Sequence, residues 1–147
     1  MAVYAMVQHN PNDGEKFTLE KINAAHAKTK SGADFPNYIQ EIKEMGVIAY
    51  EHYLSDGHVK YHGTNNYAVS APSKWDTKVI NAKSDIEALK NSLKIHQAGK
   101  TDYLTFCTEA ATIGVEKWVV DMKEMTCTYY DLQGNKMLIE TIPTPKA

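Results

Sequence analysis

The sequence contains no arginine: all 16 basic side chains are lysine. That absence removes arginine fingers, bidentate clamps on carboxylate or phosphate, and the commonest bidentate contact to guanine. Anion binding by lysine or backbone amides stays open. Net charge is also scarce. The 18 acidic residues leave −2 overall, so there is no basic excess for nucleic acid and no acidic excess for a cationic partner. No apolar run approaches the roughly 18 residues that a membrane helix needs. Met1 to Asn10 has neither the positive start nor the long apolar core of a secretory signal. Cysteine is reduced to Cys107 and Cys127, in no C-x-x-C or zinc-like spacing. Two free thiols in a reducing compartment are the simple reading, each acting as a small hydrophobe. These absences together lead us to expect a cytoplasmic protein with no nucleic-acid partner and no membrane span.

What is present is ordinary in bulk. Of 147 residues, 43% are hydrophobic and 23% charged, which suits one globular domain over 1–147. Residues 1–16 form a lead-in with turn chemistry at Asn10–Gly14. Thr18 caps a helix from Leu19 to about Thr29, with Leu19, Ile22, Ala25 and Thr29 on one stripe. A second helix spans about Pro36 to Met45, with Asp34 at its cap and Gly46 as its stop. Ser84 and Glu87 form a capping box for a third helix that ends at Gly99. Thr101 caps a fourth, closed by Gly114.

Strands fill the remainder. Val47–Leu54 and Val59–Thr64 form a hairpin around Asp56-Gly57, a type I′ turn signal. That turn pairs Leu54 with Val59, His52 with Tyr61 and Tyr50 with Gly63 on a core face that also takes Ile48. On a wet face it pairs Tyr53 with Lys60 and Glu51 with His62. Short strands are predicted at Tyr67–Ala71 and Thr77–Ala82. Three more follow, at Val115–Asp121, Met125–Tyr130 and Met137–Ile142. The fold class is therefore α+β, with helices packed on one face of an antiparallel sheet. The halves share a plan, with pseudo-repeats at about 17–70 and 84–142. A shift of 67 or 68 residues carries Leu19, Glu20 and Ile22 onto Ile86, Glu87 and Leu89. It also carries Gly46-Val47 onto Gly114-Val115 and Tyr50 onto Trp118. This suggests duplication of an α-α-β-β unit, although any such pattern needs glycine at its joints.

No catalytic signature stands out. Gly99-Lys100-Thr101 imitates the end of a phosphate-binding loop, but Lys94 stands where the motif needs glycine and a helix precedes it. His52, His58 and His62 crowd the hairpin without metal spacing, because His52 faces away from the others and His58 and His62 lie roughly 13 Å apart along a strand. The simpler reading of Glu51 opposite His62 is a surface ion pair. The corner from His96 to Tyr103 could receive an anion at a helix start, yet Asp102 already serves that dipole. His52 beside Tyr50 and Tyr61 is the best candidate for a perturbed, pocket-lining histidine. No catalytic residue, metal ligand or cofactor is assigned. Tyrosine is the one abundance, nine of fourteen aromatics, and it suits a protein or small-ligand surface.

The run His96-Gln97-Ala98-Gly99-Lys100-Thr101-Asp102-Tyr103, then Gly114-Val115-Glu116-Lys117-Trp118 and Met125-Thr126-Cys127-Thr128-Tyr129-Tyr130-Asp131, resembles the uncharacterised bacterial YbcV-like family. Its members are often labelled "phage envelope protein". The resemblance runs from about Phe17 to Pro143 and implies a prophage origin. It implies no activity and no site residues. Three expectations follow. The first is a binding or protein-interaction module, a homodimer through an exposed sheet face or edge. The second is a small-molecule sensor or enzyme with a pocket of at least ~300 Å³ between sheet and helices, lined by Tyr50, His52, Tyr61 and Trp75. The third is a structural phage component.

Overall fold

A computed structural model describes residues 17–145; the lead-in read at Asn10–Gly14 lies outside them. The chain begins with α1 (Leu19–His26), a short 3₁₀ turn at Gly32–Asp34, and α2 (Phe35–Glu44). It continues through β1 (Ala49–Tyr53), β2 (Val59–His62) and β3 (Ala68–Ala71). Then come α3 (Ile86–Gln97), α4 (Tyr103–Ile113), β4 (Lys117–Asp121), β5 (Thr126–Tyr130) and β6 (Lys136–Thr141). The six strands form one antiparallel sheet in the order β3-β2-β1-β4-β5-β6. The class is α+β, as expected.

Local chemistry explains the helix ends. The Thr18 hydroxyl accepts from Lys21 N at 3.2 Å and starts α1. Asp34 flanks α2, but its carboxylate turns back to Lys30 N at 2.8 Å and makes no cap hydrogen bond. Two other caps differ from the sequence reading. Asp85, not Ser84, accepts from Ala88 N to start α3, and Asp102, not Thr101, accepts from Thr105 N to start α4. In each case the carboxylate is a stronger acceptor for the exposed N–H groups than the neighbouring hydroxyl. Thr101 instead meets His96 Nδ1 at 3.0 Å. The proposed strand at Thr77–Ala82 does not form; Asn81 ties this segment to the end of α4 through Ala111 and Thr112 carbonyls.

The first hairpin corrects the predicted register by two residues. Tyr50 faces Tyr61, His52 faces Val59 and Glu51 faces Lys60. A type I′ turn needs positive φ at both central residues, and here Gly57 has it (φ 80°) while Asp56 does not. Asp56 accepts from His58 N, Gly57 N donates to Tyr53 O at 3.0 Å, and the loop widens. A slip of two keeps each side chain on its own face. Tyr50, His52, Leu54, Val59 and Tyr61 are therefore all buried, but Ile48, expected on the same face, precedes the strand and is exposed, while Glu51, Tyr53 and His62 hold water-side contacts. Glu51 accepts from Tyr53 at 2.7 Å and still reaches His62 at 3.1 Å along the diagonal.

All four helices cover the buried face. Ile22, Ile39, Ile42, Leu89 and Val120 are fully enclosed, each worth ~1.5–3 kcal/mol on burial. The halves share their geometry as well as their order. Tyr50 pairs with Tyr61, and 68 residues on Trp118 pairs with Tyr129. At the centre, Leu54 N donates to Glu116 O and Met122 N donates to Ile48 O, two bonds related by the same shift of 68. Gly46 and Gly114 close α2 and α4 with φ of 110° and 106°.

Candidate functional site

A cavity of about 610 Å³ lies between the sheet and the helices. Its floor is the buried face of β1, β2, β4 and β5, and its walls come from α1, α2, α3 and α4. Eight aromatic side chains line it, and they fall into four pairs 68 residues apart. On the floor these are Tyr50 with Trp118 and Tyr61 with Tyr129; on the helices, Phe35 with Tyr103 and Tyr38 with Phe106. Antiparallel registers arrange the floor in two transverse rows. One runs Tyr61, Tyr50, Val120, Cys127, Glu140 and the other Val59, His52, Trp118, Tyr129, Leu138. Small Cys127 lines the cavity over the middle of the sheet. Asn23, Ala27 and Lys30 of the α1 end and Leu104 of α4 line the cavity while exposed to solvent, which places its mouth there. Leu104 is 60% exposed.

Polar groups break the pairing. His52 is buried, and its Nε2 is hydrogen bonded to the Tyr103 hydroxyl. The ring stacks on Trp118 with centroids 4.2 Å apart, and its Nδ1 has no hydrogen-bond partner among the described residues. The matching positions in the other half are Val120 and Phe35, which can make no such bond. The Tyr38 and Tyr61 hydroxyls lie 3.5 Å apart, whereas their mates are Phe106 and Tyr129. Tyr129 turns to Glu140 at 3.4 Å, and Gln97 reaches the same carboxylate at 3.2 Å.

Burial keeps the wall neutral. It pushes His52 well below the ordinary imidazole range, with Lys74 and His26 adding to the effect. His26 and His96 are lowered for the same first reason. Burial also raises the Tyr38, Tyr50, Tyr103 and Tyr129 hydroxyls and pushes both thiols up to about 12. At neutral pH the phenols and thiols hold their protons and the imidazoles do not. Neither cysteine is a ready nucleophile. Among the described residues no three of His, Cys, Asp and Glu gather as metal ligands.

Of the four residues singled out from sequence, Tyr50, His52 and Tyr61 line the cavity. Trp75 stands behind His52, 6.4 Å ring to ring, with its N–H on the Leu54 carbonyl; it is not among the lining residues. Tyr38, Tyr103, Trp118, Tyr129, His26 and Glu140 were missed. Applying the 68-residue shift to every aromatic would have found four of these, Tyr38, Tyr103, Trp118 and Tyr129. The His96–Tyr103 corner is a packed joint in which a Cβ on Gly32 would meet the His96 carbonyl at 2.4 Å.

A family model described as a protein of unknown function (DUF1398) matches residues 23–141. The chain belongs to the DUF1398 family. The matched span holds every cavity residue discussed above. Among relatives, the chain is similar to the uncharacterised protein YcgX of Escherichia coli K12, 20% identical over 77% of this chain and 84% of that protein. It is also similar to the uncharacterised protein Rv2012 of Mycobacterium tuberculosis, 42% identical over 33% of this chain and 29% of that one. Among the described residues no helix is long and apolar enough to cross a membrane.

Proposed function

We propose that this DUF1398 protein is a small-molecule-binding module whose ligand occupies the cavity between sheet and helices. One observation carries the reading: a 610 Å³ space with aromatic walls and a buried histidine–tyrosine pair. That volume falls in the range of drug-sized ligand sites, and such sites combine apolar walls with a few placed polar groups. Binding fits the chemistry better than catalysis, because the thiols are held protonated and His52 has already committed Nε2 to Tyr103. We read Tyr50, His52 and Tyr61 as ligand contacts and Trp75 as the prop behind His52. The reading of two copies of one α-α-β-β unit is supported by their common register. A prophage origin rests on the sequence resemblance alone and enters no step here.

The test is a screen of metabolite-sized compounds by thermal shift, repeated with Tyr50→Ala. Saturable stabilisation by at least one compound, weakened about tenfold or more in the variant, is expected. A library that stabilises the parent protein nowhere, or stabilises both proteins equally, overturns the proposal. The interaction-module reading keeps one support, the exposed Ile139 on edge strand β6. A monomer in sedimentation equilibrium removes its homodimer form.

A further inference from the structure

We propose, resting on the cavity reading above, that the ligand is a planar aromatic molecule carrying a basic nitrogen, with the nitrogen directed to Glu140. Charge and shape select such a molecule. Eight rings present their faces or edges to the cavity, and an aromatic face attracts cations through its quadrupole. Of the two carboxylates on the wall, Asp102 is occupied as the cap of α4. Among the described residues, Glu140 is hydrogen bonded only by the neutral donors Tyr129 and Gln97 at 3.2–3.4 Å. Among the described residues no lysine or histidine pairs with it. Glu140 is therefore a half-buried carboxylate that faces the aromatic chamber with no cation paired to it among the described residues.

The opposing charges are weaker claimants. Lys74 spends its ammonium on the Gly57 carbonyl at 2.8 Å, and Lys30 is exposed at the mouth. The three cavity histidines are held neutral by burial. No arginine exists to clamp an anion. Length agrees too. Glu140 and Tyr50 share one floor row, three strands apart, about 14 Å at the usual strand spacing. That span accommodates the length of a fused ring system lying over Cys127.

Three tricyclic probes of nearly one shape decide the matter at neutral pH: cationic 9-aminoacridine, neutral acridone and anionic acridine-9-carboxylate. With Trp75→Phe, Trp118 is the sole tryptophan, and its quenching reports occupation of the cavity. The cation is expected to bind at least about tenfold tighter than either analogue. Glu140→Gln should remove that preference and leave acridone unchanged, and Asp102→Asn should keep the preference. Melting of each variant within a few degrees of the parent establishes that it is folded. Equal or tighter binding of acridone or the carboxylate overturns the charge assignment while leaving the cavity reading intact. An unchanged preference in Glu140→Gln overturns it equally. If no probe quenches Trp118 and the wider screen is also empty, the cavity reading itself fails.

Discussion

The first half of the molecule, from α1 to β3, and the second, from α3 to β6, hold the same frame and fill it differently. The register of the inner hairpin, the helix stops and four pairs of aromatic positions coincide under one shift, while the edge pair β5–β6 is offset by one residue from β2–β3 across the irregularity at Tyr129/Tyr130. Polar groups do not. Where the first half places His52, the second places Val120; where the second places Tyr103, the first places Phe35. Because the halves meet across β1 and β4, His52 and Tyr103 find each other from opposite halves. The lesson is that a frame tolerating apolar side chains at these positions has accepted a buried polar pair. Such a pair costs stability unless its members satisfy one another.

Breaking the frame should have the largest effect. Gly46→Ala meets only Phe17 at 3.9 Å and loses about 1–2 kcal/mol to its left-handed backbone. Gly114→Ala carries the same strain and also drives a Cβ to 2.7 Å from Ser84 Cα. It should lose about 2–5 kcal/mol in urea unfolding. Equal losses at the two glycines would show the halves more alike in packing than described.

The polar pair comes next. His52→Val makes the first half resemble the second and takes the imidazole partner from the Tyr103 hydroxyl, leaving it Cys107, at about 2–4 kcal/mol. Adding Tyr103→Phe should return up to about 1 kcal/mol of that, since the buried hydroxyl that lost its imidazole partner is removed. Additive losses in the double-mutant cycle would mean that the two side chains do not depend on each other.

Acid should expose the same asymmetry. Burial depresses the folded-state pKa of His52, His26 and His96. Below the unfolded value of about 6.5 the unfolded chain binds more protons, so stability falls as pH drops. Unfolding midpoints should therefore decline from pH 7 to pH 5, and less steeply in His52→Val. A flat profile in the parent would contradict the buried neutral imidazole.

The smallest effect belongs to Tyr38→Phe, which copies Phe106 of the other half. Its hydroxyl contact to Tyr61 is long, at 3.5 Å, so a loss below about 1 kcal/mol is expected. A larger loss would place Tyr38 among the supports of the cavity.

Much of this was legible in the residues. The stripe Leu19, Ile22, Ala25 announced α1, and alternation along Tyr50, His52 and Leu54 announced a buried face. Gly46 and Gly114 announced two stops. Errors came where two acceptors competed at one helix start, as at Ser84 and Asp85, or where a turn motif left the loop length open, as at Asp56-Gly57. Of the cavity, Tyr50, His52 and Tyr61 were visible because they share a strand face within one hairpin. Tyr103 and Glu140 were not, because 51 residues separate Tyr103 from His52 and no local pattern links them.

The sequence by itself determined the four helices, the six strands that form and most of their buried faces, and the near-neutral, arginine-free chemistry available, because each depends on neighbours within a few positions. The tertiary structure alone decided that β1 lies beside β4, that His52 stacks on Trp118, and that small floor residues leave a chamber above the sheet. Strand order is settled by which distant faces can be buried together, and that balance is struck only when the whole chain has packed.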